Sequence, residues 1–129
     1  MSAFVDTLKK GELFFSKPGV SDDQISRAQR TLGLEFAEEH KEYLHEYAAV
    51  SVNSHEITGI FPGTRFDVVE ATEEERGCNP NIPTDLYVVE QANIDGIVFW
   101  QDAAGSIFQT TYGSKPERFC AGLTEFIKS

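Results

Sequence analysis

Basic residues are scarce in this sequence. The 129 residues contain 11 Lys and Arg against 21 Asp and Glu, which gives a formal net charge of −10. The densest basic positions are the Lys9-Lys10 pair and the nearby residues Lys115 and Arg118. Nucleic-acid phosphates and anionic membranes are both recognised by clustered Lys and Arg. The sequence therefore argues against a nucleic acid or a membrane as the partner.

Cysteines and long apolar runs are also few. Cys78 and Cys120 are too few and too far apart to predict a disulfide framework or a zinc site. No stretch approaches the roughly 18 apolar residues that a membrane-spanning helix requires. The segment from Met1 to Asp6 lacks the basic region of a secretory signal. These features predict a cytoplasmic protein.

Motifs of catalysis and cofactor binding are missing as well. His40 and His45 are five residues apart, so on one helix they point in different directions and do not share a metal. The sequence has no HExxH, CxxC, EF-hand or phosphate-loop motif. The glycines at 59, 63, 77, 96, 105 and 113 are isolated turn residues. We therefore expect no enzyme activity, no metal and no cofactor.

The rest of the composition is that of a folded domain. Hydrophobic residues make up 40% of the chain and include ten Phe. A chain of this length has room for one hydrophobic core. We expect residues 1–129 to form a single domain.

The N-terminal third is predicted to be helical. A short amphipathic segment covers Phe4–Leu8. Ser21 and Gln24 form a capping-box pattern at the start of a second helix, and Gly33 ends it. A third helix is predicted from Ala37 to Ala49, with His40 at the edge of the core.

Strands follow from residue 54. The first is predicted at Glu56–Phe61, and a surface helix capped by Asp67 follows it and ends at Arg76. Two hairpins, one turning at Asn93–Gly96, predict an antiparallel meander with one packed face and one open face. Its strands are Leu86–Gln91, Ile97–Gln101 and Ser106–Tyr112.

The C-terminus is predicted to be a helix. Ser114 and Glu117 form a second capping-box pattern, and Pro116 is tolerated in a first helical turn. Phe119 and Cys120 are expected to face the core, where a thiol is inert. The predicted fold is α+β, with the meander packed against the N-terminal helices and a C-terminal helix.

The densest acidic segment is the candidate site. It carries Asp67, Glu70, Glu73, Glu74 and Glu75 on and beside one helix. One interpretation is a solvated helix face. The other is a surface complementary to a basic protein partner, whose approach the charge would accelerate.

The second and third predicted helices, together with the strands that follow, resemble the opening signature of the SUKH superfamily. The matching elements are a Leu-Gly pair, a charged run ending in Tyr-Leu, a strand ending at a glycine and a later Asp-x-x-Gly turn. In this sequence they are Leu32-Gly33, Lys41-Glu42-Tyr43-Leu44, Ile57-Thr58-Gly59 and Asp102-Ala103-Ala104-Gly105. The sequence departs from the pattern where Ala37 replaces a proline, His40 replaces a tyrosine and Ala48-Ala49 replaces a glycine pair.

The resemblance implies a protein that works by binding. The superfamily includes fungal cell-wall regulators and many bacterial immunity proteins that block a cognate toxin, often a nuclease. It therefore implies a toxin as the partner. The negative charge indicates that this toxin has a basic surface, and we expect the Asp67–Glu75 segment and the open face of the meander to contact it. A regulatory interaction module of the cell-wall-synthesis type is the alternative that the same resemblance leaves open.

Overall fold

The computed structural model describes residues 3–92, 94–112 and 114–128. Within them the chain forms five helices and two antiparallel sheets, so the predicted α+β class is confirmed. The helices are α1 (Ala3–Lys10), α2 (Asp22–Leu32), α3 (Glu38–Glu46), α4 (Val68–Cys78) and α5 (Leu123–Phe126). The strands are β1 (Leu13–Pro18), β2 (Tyr47–Val52), β3 (His55–Ile57), β4 (Tyr87–Gln91), β5 (Ile97–Gln101), β6 (Ile107–Thr111) and β7 (Glu117–Cys120).

The first sheet has the order β1-β2-β3, and its strands β1 and β2 lie in regions predicted to be helix or loop. The predicted helix Ala37–Ala49 ends early, at Glu46, because the chain enters β2 at Tyr47. Ala48 and Ala49 are good helix formers, but both are buried in a strand that pairs with β1 and β3. Tertiary pairing here outweighs local propensity.

The local helix signals of α2 and α4 are confirmed. The Ser21 side chain accepts a hydrogen bond from the backbone N–H of Gln24, and the Gln24 side chain accepts one from the Ser21 N–H. Gly33 ends α2 with a left-handed φ of 70°. Asp67 caps α4 by accepting a hydrogen bond from the backbone N–H of Glu70.

The second sheet has the order β4-β5-β6-β7, which confirms the predicted meander and adds a strand. The predicted C-terminal helix from Ser114 is wrong over its first part, because residues 117–120 pair with β6. Pairing covers an edge of β6 that a helix would leave open. Ser114 instead accepts a hydrogen bond of 2.8 Å from the backbone N–H of Thr111, and Phe119 is 42% exposed.

Two apolar clusters cover the two faces of the second sheet. The main core joins α1, α2, α3 and α5 to both sheets. The other face of the meander packs against α4 and the loop that precedes β4, so the prediction of an open face is wrong over β4 and β5. This second cluster contains Ala71, Ile82, Leu86, Val88, Val98 and Trp100.

Thr58 joins the two sheets. Its backbone N–H donates to the carbonyl oxygen of Val89 at 2.9 Å, and its hydroxyl donates to that of Val88 at 2.7 Å. The next residue must be glycine, because a Cβ on Gly59 would lie 1.8 Å from the carbonyl oxygen of Ala48. The strand predicted at Glu56–Phe61 therefore ends at Ile57, where the chain leaves the first sheet.

The turn between β4 and β5 agrees with its predicted chemistry where it is described. Asp95 and Gly96 have φ angles of 52° and 67°, in the left-handed region that such turns use. Asn93, the first residue of the predicted turn, lies outside the described residues. Gly113 and the N-terminal residues Met1 and Ser2 also lie outside them.

Candidate protein-interaction surface

Asp67 is a structural residue of the acidic segment. It is 4% exposed, and its carboxylate accepts hydrogen bonds from the backbone N–H groups of Phe61, at 3.0 Å, and Glu70, at 3.1 Å. Burial raises the pKa of Asp67, and the two hydrogen bonds oppose that rise. Asp67 therefore fixes the start of α4 and presents little charge to solvent.

The other acidic residues of the segment line the accessible side of α4. Glu70, Glu73 and Glu74 are exposed, and Glu75 is half-buried. Two of them are held in place: Glu70 accepts a hydrogen bond of 2.6 Å from the backbone N–H of Gly63, and Glu75 accepts one of 2.7 Å from the side-chain amide of Gln91. The structure thus brings together four of the five predicted residues.

Glu70, Glu74 and Glu75 form one wall of a surface cleft of about 420 Å³, and Gln91 and Arg65 lie on its other sides. The guanidinium of Arg65 donates two hydrogen bonds, of 2.8 and 2.6 Å, to the carboxylate of Glu56. This contact lowers the pKa of Glu56 and raises that of Arg65. Because Glu56 compensates the positive charge of Arg65, the cleft is negative.

A second groove, of about 270 Å³, lies between α2 and α4 and shares Glu70 with the acidic cleft. Its lining residues include the apolar Ala28, Ile60 and Val69 and the basic Arg27. Protein interfaces combine an apolar centre with a charged rim that selects the partner. The acidic cleft and the apolar groove together place charged and apolar surface next to each other on one side of α4.

Comparison with known proteins agrees with this fold. A family model described as SMI1-KNR4 cell-wall, of the SUKH group, matches residues 1–114. The chain belongs to the SUKH superfamily. A search of curated proteins finds no significant relative. The superfamily match confirms the resemblance carried by the α2–α3 region and covers every element of this SUKH domain except β7 and α5.

His40, where the family pattern has tyrosine, is a core residue of this SUKH domain. It is fully buried against Phe36, Tyr43 and Tyr87. Its Nε2 donates to the carbonyl oxygen of Thr58 at 3.1 Å, while Nδ1 has no hydrogen-bond partner among the described residues. Burial lowers the pKa of His40 to about 4, so the ring is neutral at physiological pH. The sequence predicted His40 at the edge of the core, and the structure places it inside the core.

The other two histidines, His45 and His55, contact different residues from those around His40. His45 is exposed on α3 and its Nε2 lies 2.5 Å from a carboxylate oxygen of Asp22. His55 on β3 lies 2.8 Å from the carboxylate of Glu90, a buried acid that the sequence pattern of β4 did not reveal. In the part of the chain that the structure describes, no group of three or more His, Cys, Asp or Glu could hold a metal ion.

The two cysteines occupy different surroundings. Cys78 is exposed at the end of α4. Cys120 was predicted to lie on a helix, but it lies on β7, half-buried, where burial raises the pKa of its thiol. Among the described helices, none is long and apolar enough to cross a bilayer.

Proposed function

We propose that this SUKH domain is an immunity protein that binds a cognate bacterial toxin domain in the cytoplasm and neutralises it without catalysing a reaction. The observation that carries the proposal is the negative cleft beside α4, with Glu70 and Glu74 accessible and an apolar groove adjoining it. Such a surface fits a partner that presents basic side chains around an apolar contact.

Charge favours a nuclease as the class of toxin. A nuclease needs a positive surface to hold the phosphate chain of its substrate. Carboxylates spaced along α4 can occupy that surface and exclude the nucleic acid. The net charge of −10 also accelerates the encounter with a basic protein at low ionic strength.

The cell-wall designation of the matching family favours a second candidate. It names a cell-wall protein family, which supports a regulatory module that binds several partners weakly. The two candidates differ in stoichiometry and affinity. An immunity protein forms one tight complex with one toxin, whereas a regulatory module forms weaker complexes with several proteins.

Co-expression with a toxin domain encoded beside this chain's gene tests the proposal. We expect host cells to survive the toxin only when this chain is present, and the purified proteins to form a one-to-one complex. Variants of the toxin with an inactivated catalytic site should still bind. Equal killing with and without this chain would refute the immunity function. Weak binding to several cell-wall-synthesis proteins, with no protection, would favour the regulatory module.

A further inference from the structure

The strand β1 forms an open edge of the first sheet. In the described residues it pairs with β2 alone. Phe14 lies at a register shift in that pairing, where Leu13 faces Val52 and Phe15 already faces Ser51. Its side chain is 92% exposed, more than any other large hydrophobic side chain described. The exposed Phe14 ring lies beside an unpaired strand edge, where it can contact the side chains of an added strand.

One face of the strand packs against aromatic rings. The Phe15 ring lies 5.3 Å from the ring of Phe66 and 6.3 Å from that of Phe61. The Nζ atom of Lys17 lies 5.1 Å from the centre of the Phe61 ring. These contacts fix one side of β1 and leave its outer edge accessible, so a pairing strand would meet a preformed partner.

The sequence of this edge is complementary to itself. We propose that β1 pairs antiparallel with β1 of a second copy, about a two-fold axis between Phe14 and Phe15. In this register Glu12 of one copy faces Lys17 of the other, Phe14 faces Phe15, and Gly11 faces Pro18. The Glu12–Lys17 charge pair and the Phe14–Phe15 aromatic pair each occur twice, as a two-fold interface requires. The two first sheets then form one continuous sheet of six strands.

Charge and proline do not block this pairing. Lys17 is a typical protective charge of an edge strand. Among the described residues, however, neither Lys17 nor Glu12 takes part in an ion pair, and the ammonium of Lys17 can contact a carboxylate of the second copy while it keeps its contact with the Phe61 ring. Pro18, which cannot donate a hydrogen bond, lies at the last position of the strand, opposite a glycine. Because Lys10 and Lys17 lie at this edge, it does not share the negative charge of the acidic cleft beside α4.

A charge swap tests the register. Sedimentation velocity over a concentration series should show the wild-type protein in equilibrium between monomer and dimer. Lys17→Glu and Glu12→Lys should each weaken the dimer by about tenfold, because each places two like charges opposite each other twice. The double variant Glu12→Lys/Lys17→Glu should restore dimerisation to near the wild-type level.

Phe14→Ser should also weaken the dimer. Tyr112→Ser removes another exposed aromatic, 83% exposed at the end of β6, and should leave dimerisation unchanged. Circular dichroism and urea unfolding confirm that each variant is folded. A wild-type protein that stays monomeric up to millimolar concentration overturns the proposal. So does a double variant that dimerises no better than the folded single variants. The experiment requires no toxin, so its outcome is independent of the proposed function.

Discussion

The carboxylate of Glu39 on α3 accepts a hydrogen bond of 2.9 Å from the backbone N–H of Leu123, the first residue of α5. The same oxygen accepts one of 2.6 Å from the side-chain amide of Gln101 on β5. One oxygen atom therefore joins two helices to the second sheet. Burial raises the pKa of Glu39, and these two hydrogen bonds oppose that rise.

Glu39→Ala should lower the free energy of unfolding by about 1–3 kcal/mol, because it leaves two donors without their acceptor. Glu39→Gln keeps a carbonyl oxygen for both donors and should cost less. The folded protein binds the Glu39 proton more tightly than the unfolded chain does. The contribution of Glu39 to stability should therefore fall as pH rises from below 4.5 through the raised pKa. Urea unfolding across this range should show a smaller fall in Glu39→Gln; an identical pH profile would contradict the assignment.

His40 should produce the opposite pH dependence. The pKa of His40 is about 4 in the folded protein, against the ordinary value of 6.5 that applies to the unfolded chain. As the pH falls, the unfolded chain therefore binds the proton before the folded protein does. Stability should fall as pH drops from 6.5 to about 4, by about 3 kcal/mol in total. His40→Phe leaves the Thr58 carbonyl without a donor, so it should be less stable at neutral pH. The stability difference between wild type and variant should narrow on acidification, and a constant difference would exclude this role.

The indole N–H of Trp100 has the hydroxyl of Thr110 as its hydrogen-bond acceptor. Its Nε1 donates a hydrogen bond of 3.0 Å to the Thr110 hydroxyl, and both residues are buried. Thr110→Val conserves the shape but leaves the indole N–H without an acceptor, which should cost about 1–3 kcal/mol. Thr110→Ser keeps the acceptor and should preserve the emission maximum of Trp100, the only tryptophan. Fluorescence-detected unfolding of both variants provides the measurement.

Two glycines should respond in opposite directions to alanine. Gly59→Ala places a Cβ against the Ala48 carbonyl oxygen and should strongly destabilise the protein or prevent folding. Gly77→Ala lies in α4 with no atom near its Cβ, and should stabilise the protein by about 0.5–1 kcal/mol. Thermal unfolding compares them directly. A well-folded Gly59→Ala variant would show that the protein can fold without the close approach of β2 to this residue.

Charge reversal on α4 tests the proposed contact surface. Glu73 and Glu74 are exposed, and in the described residues neither makes a side-chain hydrogen bond or ion pair, so Glu73→Lys/Glu74→Lys should fold normally. It should slow association with a basic toxin and weaken the salt dependence of the on-rate. Asp85→Lys/Glu117→Lys makes the same change in net charge at exposed positions elsewhere. Stopped-flow binding should show a larger effect for the α4 pair; equal effects would remove α4 from the interface.

The sequence predicted the elements whose signals are local. Ser21, Gln24 and Gly33 contact one another or the backbone of their own helix, so the limits of α2 could be read from their order. The same holds for Asp67 at the start of α4. Residue types and short spacings are sufficient for such features because the interacting groups lie within one helical turn.

Features that depend on distant residues were not predicted. The Ser114–Glu117 capping-box pattern is genuine, but pairing of residues 117–120 with β6 prevails over it. Ala48 and Ala49 enter a strand for the same reason. Within the acidic segment, the sequence could not distinguish the buried Asp67 from the exposed Glu70, because that difference depends on how the chain before α4 folds over it.

The double hydrogen bond from Thr58 to β4 has a consequence for the lifetime of the folded state. Next to Thr58, the carboxylate of Glu90 on β4 contacts His55 and accepts a hydrogen bond from the backbone N–H of Glu56, so the two sheets should open together. A protein that clamps α4 against β4 would then slow the unfolding of the whole molecule and protect it from proteolysis. Occupancy by the proposed partner would then lengthen the lifetime of each folded copy.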